Sequence, residues 1–155
     1  MTLEMAKDLS FVIGGVVALV TLVMTYVEFS RQNASKRAEF FLSMRRRLKE
    51  NAILKDLSDQ VERKLPGLAQ VPLKDKFEYV GFFEEVALMV NSGIMHPEVA
   101  HYMFAYYAIS CWENNEFWSG GMDRQSAFWT LFRDFVDRMK EQTAHFKYSR
   151  ERFRL

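Results

Sequence analysis

Hydrophobic and polar positions along the chain follow two patterns, an unbroken apolar run near the amino terminus and a periodic arrangement after it. Residues 9–27 are nineteen consecutive positions without a charge, rich in Val, Leu and Ile. As a helix rising about 1.5 Å per residue, they span about 28 Å, close to the roughly 30 Å hydrocarbon core of a bilayer. The Ser and Thr hydroxyls in the run can donate to helix carbonyls. The run therefore predicts a single transmembrane helix.

Two alternatives for this run, a cleaved signal peptide and a buried core helix, fit less well. A signal peptide has a basic start, whereas the charges of Glu4, Lys7 and Asp8 nearly cancel. It also ends in a cleavage site of small residues, whereas residues 26–28 are Tyr, Val and Glu. The match between the length of the run and the thickness of the bilayer favours a retained membrane helix.

Downstream, apolar residues recur at intervals of three and four and breakers are few, which predicts an almost entirely helical chain. The membrane helix is predicted to continue to about Glu50. Four further helices are predicted at about 52–65, 72–92, 97–118 and from 123 onward, separated by turns that contain Gly or Pro. The predicted fold class is all-α, with one amino-terminal transmembrane helix followed by a cytoplasmic bundle of about four to five helices.

The helix predicted at 72–92 differs from the others in the distribution of its apolar residues. Between residues 79 and 90 it is apolar on every side except at Glu84 and Glu85, which is typical of a central, most buried helix. Asp123 is predicted to cap the last helix. One-sided apolar stripes lie at Phe128, Leu131, Phe132, Phe135 and Met139 in the last helix, and at Phe41, Met44 and Leu48 in the extension of the first.

Basic residues are distributed unevenly around the predicted span. Lys7 and the amino terminus precede it, whereas six Lys and Arg residues follow within about 20 residues of its end. Cytoplasmic flanks of membrane helices carry this excess, so the amino terminus is predicted to face outward. Three segments result: residues 1–30 with the membrane helix, residues 31–147 as a cytoplasmic helical domain, and residues 148–155 as a basic tail.

Composition adds little to this picture. The 125 residues that follow the first 30 suffice for one domain with a core of its own. The net charge of +1 gives no whole-molecule signal for nucleic acid. The single cysteine, Cys111, agrees with a reducing compartment and is predicted to be a small buried thiol.

The passage from residue 82 to residue 114, FFEEVALMVNSGIMHPEVAHYMFAYYAISCWEN, resembles a family of small bacterial proteins known only as a domain of unknown function. The likeness covers most of the 155 residues, with a membrane helix, a charged helix and then helices of the FFEEVA and CWE type. It departs at Cys111, where an aromatic residue is more typical. The resemblance implies a helical architecture tethered to the bacterial inner membrane, and it brings no activity. The match is specific at Phe83, Glu84, Gly93, Trp112 and Glu113.

Polar residues within the apolar helices are the first candidates for chemistry. A carboxylate there has either a partner or a raised pKa, and neighbours on a helix point about 100° apart. One of Glu84 and Glu85 is therefore expected to face inward. A structural pair or hydrogen bond with an Arg, His or Trp of another helix is preferred to catalysis. The predicted buried structural polar residues are Glu84, Trp112 and Glu113.

Glu98 and His101 have the Glu-x-x-His spacing that places two metal ligands on one helix face in di-iron bundles. A second pair of this kind is missing from the sequence. Glu98 also lies in the first turn of its predicted helix, where the helix dipole favours a negative charge. No metal, cofactor or catalytic residue is therefore predicted.

Arg45, Arg46, Arg47 and Lys49 form a basic run. Lipid headgroups are an unfavourable partner, because on an upright helix Arg46 stands about 27 Å beyond Glu28 and surface potentials decay over about 8 Å. Nucleic acid is also an unfavourable partner, because its binding sites combine basic with aromatic surface. The predicted role is a solvated helix face that pairs with acidic residues of the domain or of a partner.

Ser10, Gly14 and Ala18 recur every four residues and line one face of the predicted membrane helix with small side chains, which favours self-association. The stripe of the extended first helix is predicted to lengthen this seam. The sequence favours a non-enzymatic interaction or scaffold protein, a homo-oligomer or an accessory subunit of a larger membrane complex, with lipid and protein partners. The alternative is a small membrane-tethered enzyme or toxic effector, a nuclease or metal-dependent hydrolase that uses buried glutamates.

Overall fold

A computed structural model describes the backbone of residues 3–145, and it describes side chains from residue 14 onward except at 30, 31, 33–35 and 145. Residues 3–145 form helices and turns without a strand, which confirms the all-α class. Single-turn 3₁₀ helices lie at Leu68–Gln70 and Ala127–Trp129. The α-helices are α1 (Leu3–Glu50), α2 (Ala52–Glu62), α3 (Leu73–Asn91), α4 (Pro97–Glu113), α5 (Asn115–Trp118) and α6 (Thr130–His145).

The chain divides into two compact units, Met1–Glu39 and Phe40–Leu155, and the division falls within α1. Within the part of the chain that the structure describes, no helix has both the length and the apolar composition required to cross a membrane. The side chains of the first five residues of the predicted membrane helix, 9–13, lie outside the described residues, as does the whole of the predicted tail at 148–155.

Two predicted helix ends differ from the structure for local reasons. The helix predicted at 52–65 ends as α2 at Glu62, because Lys64 takes a positive φ of 51° that a right-handed helix cannot contain. The helix predicted at 97–118 ends as α4 at Glu113, where Asn114 leaves helical geometry. The Asn114 side chain then accepts a hydrogen bond from the Phe117 amide at 3.0 Å and so caps the separate helix α5.

The predicted cap of the last helix is wrong. Asp123 instead accepts a hydrogen bond from the Gln125 amide at 2.9 Å within a turn. Ser126 caps the following 3₁₀ turn, and α6 begins only at Thr130. Phe128 therefore precedes the helix and is 72% exposed, contrary to its predicted place in the stripe. The other stripe residues pack inward, Leu131 partly and Phe132, Phe135 and Met139 fully.

The core of the second unit is aromatic and lies around α3. As predicted, α3 is buried along most of its length, and its Phe83 ring lies 5.1 Å from Tyr79 and 5.8 Å from Phe132 of α6. Helix α4 packs against α2, α3 and α6. Met44 and Leu48 of α1 are buried in this same core, with Phe41 packed against it. The predicted extension of a dimer seam through this stripe is therefore wrong.

Candidate functional site

A groove of about 710 Å³ lies between the carboxyl-terminal part of α1, α2 and α4. Its volume is within the range of ligand pockets, about 300–1,000 Å³. Apolar side chains of Leu48, Met103 and Phe104 form part of its wall. We call this surface the basic–tyrosine groove after the side chains that line it: Arg45, Lys49, Lys55, Tyr102, Tyr106 and Tyr107.

Because successive residues of a helix point in different directions, the basic residues at 45–49 of α1 lie in different surroundings. Arg46 is 72% exposed and pairs with Glu50 at 3.8 Å. Arg47 pairs with Glu85 of α3 at 2.6 Å, which agrees with the predicted solvated face that contacts acidic residues. Arg45 and Lys49 are four residues apart, so they share a face of α1, and that face borders the groove.

The aromatic side of the groove comes from α4. Tyr102 and Tyr106, again four residues apart, are 63% and 57% exposed. Tyr107 is half-buried, and its ring lies 5.7 Å from that of Tyr106 at an interplanar angle of 76°. Burial raises the pKa of the Tyr107 hydroxyl, and the negative charges of Glu62 and Asp59 raise it further. Tyr107 is thus held in the protonated form, which can donate a hydrogen bond.

Buried Ser58 and exposed Asp59, both of α2, complete the lining. Ser58 Oγ donates to the Leu54 carbonyl at 2.7 Å and lies 3.3 Å from the hydroxyl of buried Tyr79. Burial raises the Tyr79 pKa well above its ordinary value, so this hydroxyl stays uncharged. The three cations of the rim and the single carboxylate of Asp59 leave the lining with a net charge of about +2.

The sequence interpretation missed this groove because Arg45 and Tyr106 are distant in the chain and only packing brings them together. A local signal was present on each helix. Arg45 and Lys49 on α1 are basic residues spaced by four, and Tyr102 and Tyr106 on α4 are tyrosines spaced by four on a mostly apolar helix. The sequence shows no combined basic and aromatic surface that would favour nucleic acid, whereas the groove supplies that combination on a small scale.

Glu84 is half-buried on α3 and lies near the Phe132 amide in the first turn of α6. Burial raises the pKa of its carboxyl, and interaction with that amide opposes the shift. The first-turn amides of a helix lack partners within the helix, so Glu84 supplies a cap from a neighbouring element. The partner is thus a backbone amide, where the sequence predicted an Arg, His or Trp side chain. Glu85 points outward in its pair with Arg47.

Replacing Glu84 tests this capping role. Glu84→Ala removes the acceptor and should lower the free energy of unfolding by about 1 kcal/mol, the usual value of a helix cap. Glu84→Gln keeps an acceptor oxygen without the buried charge and should stay within about 0.5 kcal/mol of wild type. Urea denaturation measures both, and a loss for Gln as large as that for Ala would show that the charge itself is required.

Trp112 and Glu113 lie at the end of α4 in different surroundings. Trp112 is half-buried, its ring lies 5.3 Å from that of Trp118, and Arg124 donates to its carbonyl at 2.9 Å. Glu113 is 58% exposed and pairs with Lys140 of α6 at 2.7 Å. The prediction of burial is therefore wrong for Glu113, because the last turn of α4 places this side chain at the surface.

The remaining candidates do not converge on one site. The predicted buried thiol is confirmed: Cys111 is fully buried, and burial raises its pKa well above the ordinary value, which disfavours the nucleophilic thiolate. Glu98 lies 3.1 Å from His96, and His101 shares a hydrogen bond of 2.9 Å with Thr143. Among the described residues, no group of three or more His, Cys, Asp or Glu side chains is placed to hold a metal ion.

The predicted self-association face is only partly described. Ser10 lies outside the residues whose side chains the structure describes, whereas Gly14 and Ala18 are exposed. A Cβ atom added to Gly14 meets no atom within 4 Å, so the space beside it is open.

Comparison of the chain with models of known protein families, with curated proteins and with solved structures found no match. Membership in the family that the passage from residue 82 to residue 114 resembles therefore stays a prediction.

Proposed function

We propose that this chain is a membrane-anchored, non-enzymatic helical interaction protein of the bacterial inner membrane. In this proposal the amino terminus faces outward and the helical domain that follows the anchor is cytoplasmic. The protein acts as a homo-oligomer or as an accessory subunit of a larger membrane complex. The basic–tyrosine groove is the surface with which the domain binds an anionic partner.

The observation that supports the anchor is the exposure, on all faces, of the uncharged segment of α1 that the structure describes at residues 14–27. Side chains at positions 14–29 are all exposed, and large ones such as Leu22 and Tyr26 reach 69% and 73%. A helix that is hydrophobic all round belongs in an apolar environment. Its two threonine hydroxyls are satisfied internally, since Thr21 donates to the Val17 carbonyl and Thr25 to the Thr21 carbonyl, both at 2.8 Å. Lipid requires this internal satisfaction of polar groups.

The groove supports the binding role by charge and by shape. Arg45, Lys49 and Lys55 are exposed at its rim, and none of them forms an ion pair with another described residue. Asp59 offsets one of these three charges, and the remaining net charge of about +2 favours an anion from outside. The small-residue face at Ser10, Gly14 and Ala18 supports the homo-oligomer, because small side chains let membrane helices approach closely.

Labelling with a membrane-impermeant thiol reagent tests anchor and orientation together. In intact bacterial cells that express the chain, Thr2→Cys should react, whereas Ser149→Cys should react only after the membrane is permeabilised. The native Cys111 is fully buried and contributes no background in the folded protein.

A matched pair of second substitutions serves as the control. Val20→Arg places a charge at the centre of the predicted span, at a cost of about 3 kcal/mol for insertion, and should reduce labelling at position 2, whereas Val20→Leu should leave it unchanged. Labelling of both cysteines only after permeabilisation would refute the membrane span. Labelling of Ser149→Cys alone in intact cells would reverse the orientation.

A further inference from the structure

The geometry points to a nucleotide as the ligand of the basic–tyrosine groove: a phosphate held by Arg45, Lys49 and Lys55, and a nucleobase held against the tyrosines of α4. We infer a mononucleotide or dinucleotide in place of a nucleic acid polymer. This inference rests on the anion-binding role proposed above for the groove.

The charge of the groove matches one phosphate group. Arg45, Lys49 and Lys55 surround the same opening, and Asp59 offsets one of their charges. The resulting net charge of about +2 complements a phosphomonoester, which carries about −1.5 to −2 at neutral pH. Arg45 can bind two phosphate oxygens through its planar guanidinium, and the two lysines act as point charges.

The tyrosines of α4 provide an aromatic surface, which a nucleobase can use and a phosphate cannot. Tyr102 and Tyr106 expose 63% and 57% of their surface on the same side of the groove. Stacking of a base on an aromatic side chain contributes about 1–3 kcal/mol, and every nucleobase has a flat face for it. Asp59 and the protonated Tyr107 hydroxyl add an acceptor and a donor for polar groups of a base or ribose.

The surroundings of the groove limit the length of the ligand. Tyr106 separates it from a second depression of about 460 Å³, which is lined by three carboxylates and one lysine. A polynucleotide that continued past Tyr106 would bring its phosphates toward Glu62 and Glu116, where like charges repel. A compact ligand ends before this region. The two depressions together therefore favour a nucleotide over single-stranded nucleic acid.

Calorimetric titration of the full chain in neutral-detergent micelles tests the inference. The probes are AMP and GMP, the corresponding nucleosides, inorganic phosphate, an oligothymidylate and vesicles that contain phosphatidylglycerol. At least one nucleotide should bind more tightly than its nucleoside and than phosphate, because only the nucleotide engages both sides of the groove. The oligothymidylate should bind no more tightly per site than the mononucleotides.

Three variants assign any binding to the groove. Arg45→Gln combined with Lys49→Gln should weaken nucleotide binding at least about tenfold, because two charge-assisted contacts are lost. Tyr106→Leu should weaken it about tenfold and leave phosphate binding unchanged. Arg46→Gln is the matched control, since Arg46 lies on the same helix but outside the groove lining. The affinity of this variant for the nucleotide should stay within about twofold of wild type.

The outcomes separate this inference from the proposed function. Phosphate binding that is lost in the double variant, without any gain for nucleotides, would overturn the nucleotide and keep the anion site. Preferential binding of the oligothymidylate or of the vesicles would overturn the nucleotide in favour of a polymer or of lipid. Absence of binding by every probe would overturn both the nucleotide and the anion-binding role, while the thiol-labelling result would still decide the anchor.

Discussion

Trp118→Ala is expected to lower the free energy of unfolding by about 4 kcal/mol, a large part of the 5–15 kcal/mol that stabilises a typical domain. Trp118 is 5% exposed, and its ring lies 5.3 Å from Trp112 and 5.7 Å from Trp129. Its indole Nε1 donates to the Cys111 carbonyl at 3.0 Å. Alanine removes the aromatic contacts, leaves a cavity and removes one of the two donors to the Cys111 carbonyl, which keeps only the Asn114 amide at 3.3 Å. These losses act in the same direction.

Urea denaturation followed by circular dichroism, on the full chain in neutral detergent, measures this effect. Trp118→Phe keeps a ring and loses the indole donor, so its loss should be intermediate. Phe128→Ala is the aromatic control, because this ring is 72% exposed and its removal should cost less than about 1 kcal/mol. A Trp118→Ala midpoint equal to that of wild type would contradict the structural role of this residue.

Lys76→Ala is expected to cost about 3 kcal/mol, whereas Lys76→Met should cost less than about 1.5 kcal/mol. Lys76 is fully buried, its Nζ donates to the Ser119 carbonyl at 3.0 Å, and the same atom lies 5.5 Å from the centre of the Phe117 ring. Alanine deletes the long stem and creates a cavity. Methionine fills most of that space and avoids the cost of burying a charge, which offsets the lost hydrogen bond.

The stability difference between wild type and Lys76→Met should depend on pH, because the pKa of Lys76 differs between the folded and the unfolded chain. Burial lowers that pKa from its ordinary 10.5, while electrostatic interaction with Cys111 and with the Glu116 carboxylate partly opposes the shift. The unfolded chain therefore binds the Lys76 proton more tightly than the folded chain, and this group adds stability as the pH rises toward 10.5. The stability difference between wild type and Lys76→Met should shift in favour of wild type over that range. A difference that is independent of pH would contradict the burial of the ammonium group.

The helices were largely predictable because their signals are local. Asn51 precedes α2 and caps it with a 3.1 Å hydrogen bond from the Leu54 amide, and Pro97 opens α4 where a missing amide hydrogen has no cost. The predicted helix boundaries are wrong where two local signals compete. Asp123 and Ser126 are both good caps, and the α6 boundary depends on how the segment between them packs. Asn114 divides a helical pattern because its side chain caps the turn that follows.

The sequence by itself determined the helical content, the uncharged run at 9–27 and the central position of α3, because each depends on composition and periodicity within one segment. Tertiary structure alone decided the partners of polar side chains. It placed Glu84 near the amide of Phe132, exposed Glu113, and brought Arg45 and Tyr106 into one groove. Such pairs join residues far apart in the chain, and no local pattern specifies which helix faces meet, since that choice follows from packing the apolar faces of all the helices at once.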